Sequence, residues 1–376
     1  MNFLVIGSGT AGAISCMRLL SLLPDSQVKC VYTKSKDAIN VGESSTPILP
    51  QALYNCNIDL LNSLDDFDGT VKLGLKFINW SDKDFFHPFN GTVGIHMNSA
   101  KFSWHIIDKL KKNYSNRFEH EENTVINIEN VSDKVIVGFE TRKESFDYVI
   151  DCSGFIDVNS NPDYLETSFK SVNSALVYNS DPVDELYTSH YTHKNGWMFG
   201  IPLKNRKANG YLYNRSITTK QEAIKDMQQH IPEASLDNTR HLEWNSYYKK
   251  EPVENRVIYN GNKLMFFEPL QALSLNFYIG HIDNVINCIA RNSFNGYIDY
   301  YNDQVKLMEA IIALHYYGNN GSYKNSKFWN TMKKRSKKIL NSNKFFDWYK
   351  DLRYDSYGSF SRKDAEYIIN GMNIPI

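Results

Sequence analysis

The chain opens with a strand, a glycine-rich turn, a helix and a second strand, and few folds accept that order with glycines at these places. Residues 2–7 (NFLVIG) are apolar and β-prone, GSGTAG occupies 7–12, AISCMRLLSLL reads as a helix, and VKCVYT returns as a strand. Gly7, Gly9 and Gly12 stand where a dinucleotide-binding βαβ unit has no room for side chains. The first makes the tight turn, the second lets a pyrophosphate approach, and the third packs helix against strand. Thr10 and Ala11 lie at the start of the helix, whose free N–H groups and dipole favour a diphosphate. A purely structural glycine turn is the competing reading, and the complete strand–turn–helix context disfavours it.

The rest of the pattern selects the nucleotide. No Asp or Glu closes the second strand, where Thr33 and Lys34 sit instead, so the usual hold on an adenosine ribose is missing. Far downstream, FDYVIDCSGF (146–155) is an apolar strand ending in Asp151 and Gly154, and RVIYNGNKLMFFEPL (256–270) holds another strand ending in Gly261. A nicotinamide-binding domain is complete by about residue 150. Strands that return this late are what a larger FAD-binding fold uses, so FAD is expected.

A second constraint is VKLGLKFINW (71–80), which places lysines in an alternating apolar strand. Val71, Leu73, Leu75 and Phe77 should point one way, and Lys72, Gly74, Lys76 and Ile78 the other. A lysine there either decorates a sheet edge or has a task, because burying an unpartnered ammonium is costly. Lys76, on the same expected face as Lys72, is read as structural.

Length and charge narrow the function classes. The 376 residues can bury a generous core, and Lys plus Arg (42) balances Asp plus Glu (42), so neither nucleic acid nor an anionic membrane is the expected partner. The 24 Tyr, 21 Phe and 6 Trp suit aromatic pockets and equally a strand-rich core. Cys16, Cys30, Cys56, Cys152 and Cys288 form no CxxC pair, which argues for reduced thiols. No basic, cleavable leader and no apolar run near ~20 residues is present, so a cytoplasmic location is expected. His190 and His193 lack companion ligands at metal-site spacing, and no metal is expected.

Residues 101–115 read as a helix, 124–141 as a hairpin around Ser132 and Asp133, and 168–219 as short strands. In KFWNTMKKRSKKIL (327–340), Phe328, Trp329, Met332, Ile339 and Leu340 share one helical face opposite a solvated basic one. The expected fold is mixed α/β, a Rossmann-like FAD-binding fold with an inserted substrate-side sheet and a helical C-terminal part. Its segments are 1–80 (FAD-binding βαβ part and lysine strand), 81–145 (short substrate-side insertion and hairpin), 146–165 (return to the FAD-binding part), 166–255 (substrate-side sheet), 256–280 (flavin- and halide-binding segment) and 281–376 (helical).

GSGTAG at 7–12, VGESSTP at 41–47, Lys72, DCSGF at 151–155, GWMFGIP at 196–202 and FFEPLQALSL at 266–275 together resemble the flavin-dependent halogenases of the tryptophan-halogenase family, in order and spacing, over residues 1–280. The look is closest to the short, phage-encoded marine members, which would put the protein in a host cytoplasm. The resemblance implies the fold of FAD monooxygenases. It also implies a separate flavin reductase supplying FADH2, a flavin hydroperoxide that oxidises halide to hypohalous acid, and a lysine that passes the halogen to an electron-rich aromatic. Lys72 matches that lysine. By the same resemblance Gly42, Glu43, Ser44 and Leu270 join the glycines, Thr10, Ala11, Asp151 and Gly154 around FAD. Leu273 and Ser274 fall at the halide site, and Trp197, Phe199, Ile201 and Pro202 at the partition between flavin and substrate.

Departures from the family pattern are as telling. The usual carboxylate of its Glu-Pro-Leu-Glu block falls on Gln271, which can orient a group but takes no proton, while Glu268 matches the first Glu. Glu43 is the alternative acid. Leu273 and Ser274 replace Thr and Gly, so a halide held by backbone N–H groups survives in an altered pocket, and bromide or iodide is expected over chloride. The short connection from Trp80 to Lys101 implies an open site for phenols, indoles or larger scaffolds, with Phe86, His87, Phe89, His96, Trp104 and His105 as candidate walls. An FAD monooxygenase of the same fold and an inactive flavin-binding relative are the competing readings. A homo-oligomer is compatible with all three.

Overall fold

The computed structural model describes residues 1–34, 41, 43–351, 356–357 and 360–375. Among these, the first strand, Asn2–Ile6, lies inside a six-stranded sheet. It pairs in parallel with Gln27–Tyr32 on one side and Tyr148–Asp151 on the other, so that Ile6 stands opposite both Val31 and Asp151. Phe118–Glu122 extends the sheet beyond Gln27–Tyr32, Val257–Tyr259 extends it beyond Tyr148–Asp151, and Val253–Glu254 closes the latter edge antiparallel. The chain thus leaves the first strand in opposite directions, which opens a crevice at its C-terminal end, where a ligand of a parallel α/β sheet belongs.

The alternation of the central strands decides what covers each face. Phe3 and Val5 pack into the main core with the helix Thr10–Leu22, while Leu4, Val31, Val149 and Val257 pack under the antiparallel strands Val125–Val131, Lys134–Phe139 and Lys143–Phe146. The hairpin turns at Ser132, whose φ is 50°. Arg18, on the first helix, holds Asp283 of the helix Leu273–Ala290 through both Nε (2.6 Å) and Nη2 (2.9 Å), tying the N-terminal unit to the C-terminal helices.

The second layer is a seven-stranded sheet in the order Arg240–Glu243, Ser174–Ser180, Arg206–Tyr213, Gly196–Leu203, Tyr187–His193, Gly74–Ile78 and Phe85–Pro88. Trp80 meets Trp197, Tyr316 and Trp329 edge-on, which seats the helices Tyr297–Gly318 and Lys327–Ser342 against this layer. The basic helix buries Phe328, Trp329, Met332, Ile339 and Leu340, as its periodicity predicts. Leu176, Met198, Tyr211 and Tyr213 instead pack with Ala223, Ile224 and Met227 of the helix Lys220–Met227. The predicted helix at 101–115 runs Ser99–Asn113, capped by the Asn98 side chain.

The lysine strand corrects the expectation of uninterrupted alternation. It breaks at Leu73 into Thr70–Lys72, which pairs with Gly94–Met97 in a small sheet with Glu43–Ser44, and Gly74–Ile78, which joins the large sheet. Leu73 donates its N–H to Leu186 O and accepts from Phe89 N at this switch, and it is 41 % exposed whereas Lys72 is 0 % exposed. Lys76 is not an edge residue: it lies between Ser189 and Phe86 within the large sheet, with its amine over the Tyr187 ring. The span 81–145 is shared between layers, its strand Phe118–Glu122 belonging to the parallel sheet. All five cysteines are free, and among the described residues no helix is long and apolar enough to cross a membrane.

Candidate active site

Markers as far apart in the chain as Gly7 and Gly261 meet at the start of the first helix. A Cβ on Gly7 would lie 2.6 Å from Cys152 O and one on Gly12 1.8 Å from Gly7 O, so turn, helix and the strand ending in Asp151 touch through backbone alone. Gly261 has φ +62° and a Cβ there would meet Ala11 at 2.5 Å, which brings the third returning strand to the same point. By contrast, Gly9 and Gly154 face open space. The helix has Gly9 as N-cap with no side-chain cap, and no acidic residue in its first turn. Leading N–H groups that meet no side-chain acceptor among the described residues, beside open glycines, fit the diphosphate of FAD. Asp151 accepts from Ser153 N at 2.9 Å and lies 3.6 Å from Lys263 Nζ, at the same crevice. Leu270 is buried, and Gly42 lies outside the described residues.

The two-residue strand Glu43–Ser44 joins this cradle to Lys72. Successive strand residues face opposite ways, and here Glu43 accepts from Thr10 of the nucleotide turn (3.4 Å) while Ser44 Oγ accepts from Lys72 Nζ (2.6 Å). Burial pushes the Glu43 carboxyl up to about 7, against the opposing hydrogen bonds from Thr10 and Ser99. Lys72 Nζ also donates to Ser45 O (3.1 Å) and lies 5.1 Å from the Phe89 ring centroid. Desolvation lowers its pKa to about 7, since no carboxylate among the described residues pairs with it. Gly94 stands directly across in register from Lys72, and a Cβ there would lie 2.7 Å from Ser45 O, the carbonyl that the amine bonds.

The 266–275 block is organised by C-terminal helix residues. Trp197 Nε1 donates to Tyr316 Oη (2.8 Å), which donates to Glu268 Oε1 (2.9 Å), and Ser171 donates to the other Glu268 oxygen. Burial raises the Glu268 carboxyl to about 7. Gln271 donates from Nε2 to His315 Nε2 at 2.7 Å, while His315 Nδ1 donates to Ile311 O at 2.7 Å. That second bond fixes the tautomer: Nε2 is the bare acceptor, and burial holds the ring neutral, with a pKa lowered to about 3. Gln271 and Ala272 both have positive φ (59° and 57°), strain of roughly 1–2 kcal/mol apiece, and they turn the chain into the helix Leu273–Ala290. Leu273 and Ser274 therefore open a helix with no side-chain cap.

Phe199 is buried and fills the space above Gly210, where a Cβ would lie 2.2 Å from its ring; Ile201 and Pro202 continue the same buried strand. Among the wall candidates, Phe89 packs on the Lys72 amine and His96 lies buried beside it, its pKa well lowered by burial and then by Lys72. Phe86 is half exposed on the edge strand, against Tyr187. His87 pairs with Asp364 and His105 with Asp66. Trp104 packs elsewhere, on Tyr32 and His120 by the parallel sheet. Sequence reading passed over Ser45, Gly94, Thr188, His315 and Tyr316. Only Gly94, a lone glycine within a strand, carried a signal of close backbone approach. Among the described residues no cluster suits a metal ion.

Comparison with known proteins gives the chain its family. The chain is 23% identical to tryptophan 7-halogenase KtzQ of Kutzneria sp. (strain 744) over 82% of its own length and 73% of that protein. It is 20% identical to tryptophan 7-halogenase RebH of Lentzea aerocolonigenes over 78% and 71%. Its fold superposes on a tryptophan halogenase from Shewanella frigidimarina NCIMB 400 with a TM-score of 0.84 at 20% identity, covering 99% of this chain and 88% of the other. The sequence profile of the tryptophan halogenase family matches residues 2–135 and 118–375, nearly the whole chain, and the protein therefore belongs to that family of flavin-dependent halogenases.

Proposed function

We propose that this enzyme halogenates electron-rich aromatic rings with Lys72 as the halogen carrier. When bound, reduced FAD together with oxygen and halide supplies hypohalous acid to the site, and a separate flavin reductase keeps the cofactor reduced. The observation that carries the reading is the state of Lys72: fully buried, without a carboxylate partner among the described residues, and with a pKa brought down to about 7. A neutral amine attacks the halogen of hypohalous acid through its nitrogen lone pair; hydroxide leaves and combines with the amine's proton as water, giving an N-halo lysine. The ring then attacks that halogen, the N–X electron pair returns to nitrogen, and the ring's displaced proton restores the amine.

Gln271 cannot accept a proton, so the relay runs without the carboxylate that the family pattern has at this position. Its amide, held by His315, orients; Glu43, half protonated near pH 7, is an acid that contacts the cofactor cradle through Thr10. Gly7, Gly9, Thr10, Ala11, Gly12, Asp151, Gly154 and Gly261 hold FAD, and the parallel sheet is the FAD-binding part. Halide binds at the N–H groups of Leu273 and Ser274, and the leucine side chain favours the larger, less hydrated bromide or iodide over chloride. Phenols, indoles or larger aromatic scaffolds are the substrate class, with Phe89 as the wall beside the amine and Phe199 in the partition from the flavin. The Asn- and Lys-rich composition supports a kinship with phage-encoded members acting in a host cytoplasm.

The test is enzyme with chemically reduced FAD, oxygen and catalase, given a phenol–indole panel and chloride, bromide and iodide in competition, with products read by mass spectrometry. Brominated or iodinated products in excess of chlorinated ones are expected. Hydroxylated products only, or chloride favoured, would contradict the respective parts of the reading.

A further inference from the structure

Beyond Ser44, the contacts of Lys72 continue as a chain of single hydrogen bonds through the protein interior. Ser44 Oγ lies 3.0 Å from Thr188 Oγ1, Thr188 Oγ1 3.0 Å from His96 Nε2, His96 Nδ1 2.9 Å from Thr70 Oγ1, and Thr70 Oγ1 2.7 Å from Pro202 O. The chain ends on a carbonyl, which can only accept, and this fixes the direction of every bond before it. The one hydroxyl proton of Thr70 goes to Pro202 O, so Thr70 accepts from His96 Nδ1–H. A neutral imidazole then has a bare Nε2, which takes the Thr188 proton. Thr188 in turn accepts from Ser44, and Ser44 has no proton left to give Lys72.

We infer that Thr188, His96 and Thr70 are positioning residues that keep the Ser44 hydroxyl from donating to the Lys72 nitrogen, and so leave the amine's lone pair free to react. A hydroxyl 2.6 Å from a neutral amine would otherwise make an O–H···N bond and cap the nucleophile. With the chain intact, the two N–H bonds of the neutral amine are spent on Ser44 Oγ and Ser45 O, and the remaining corner of the nitrogen carries the lone pair. The inference rests on Lys72 as the reactive amine, and it assigns work to buried residues that reach that amine only through Ser44.

The test measures the amine directly, in FAD-free protein, by carbamylation of Lys72 with cyanate at pH 9, where the amine is neutral. Mass spectrometry follows the Lys72 peptide, with the exposed Lys111 as internal standard. Thr188→Val removes one hydroxyl at nearly constant volume and frees the Ser44 proton, so Lys72 should react about five- to tenfold more slowly, the factor for one hydrogen bond that must break first. Thr188→Ser restores the hydroxyl and should restore the rate. The double variant Ser44→Ala/Thr188→Val removes the capping hydroxyl itself and should react faster than Thr188→Val alone, a reversal that structural damage does not produce. In the halogenation assay Thr188→Val should lower kcat and leave KM nearly unchanged. Wild-type labelling in Thr188→Val, or a double variant as slow as the single one, would overturn the inference. If instead the labelling pattern holds while Lys72→Ala still halogenates, the catalytic reading of Lys72 fails and the positioning chain stands.

Discussion

Replacing Lys72 by methionine should stabilise the FAD-free protein at neutral pH, and the gain should vanish on raising the pH. The folded-state pKa is about 7 against an ordinary value of 10.5, and the side chain is 0 % exposed. Between those values the unfolded chain holds a proton that the folded protein does not, so wild-type stability rises with pH across the window from about 7 to 10.5. At or below pH 7 the full cost applies, roughly 5 kcal/mol at 1.36 kcal/mol per pKa unit. Methionine keeps the apolar stem buried but leaves Ser44 Oγ and Ser45 O without a donor, a loss of about 1–3 kcal/mol. Lys72→Met should therefore be more stable than wild type by about 2–4 kcal/mol at pH 7 and no more stable at pH 10. Urea unfolding of both proteins at several pH values gives the difference, in which all shared titrations cancel. A difference that stays constant from pH 7 to 10 would show that the fold does not hold the amine neutral, and the nucleophile argument would lose its basis.

Three further outcomes follow from the geometry. Gln271→Glu sets a carboxylate oxygen against the bare Nε2 of His315, so the pair must take up one proton; relative to wild type this variant should lose stability as pH rises from 5 to 9, and a flat difference in urea midpoints would refute the tautomer assignment. Gly9→Ala meets nothing within 4 Å and has an ordinary φ of −69°, so it should fold normally yet bind FAD at least about tenfold more weakly by fluorescence titration, whereas unchanged binding would remove the diphosphate from that turn. Arg18→Met strands the partly buried Asp283 and should cost roughly 2–4 kcal/mol in urea unfolding; a change under about 0.5 kcal/mol would show that this pair does not join the first helix to the C-terminal helices.

What could be read from the sequence was whatever repeats or punctuates locally. The βαβ opening, the hairpin at Ser132 and the amphipathic helix Lys327–Ser342 each carry their own period and turn chemistry, and all stand in the structure. The break at Leu73 was not legible, because alternation of residue types continues across it while the hydrogen-bonding partners change from one sheet to another. Lys72 was visible as an anomaly, but its environment is assembled from residues 44, 45, 94 and 188, which only the tertiary fold unites. His315 and Tyr316 read as part of an apolar helix, and their grip on Gln271 and Glu268 comes from packing across about 45 residues of chain. Trp104 shows the converse: an aromatic placed by proximity in sequence that the fold sends to another layer.

The measurement that bears most directly on the central claim compares wild type with Lys72→Ala under reduced FAD, oxygen, bromide and catalase, with FAD affinity measured on the same samples. Retained FAD binding with complete loss of brominated product is the predicted result. Product formation by Lys72→Ala at the wild-type rate would mean that free hypohalous acid does the chemistry, and that the buried amine is a feature of the fold alone.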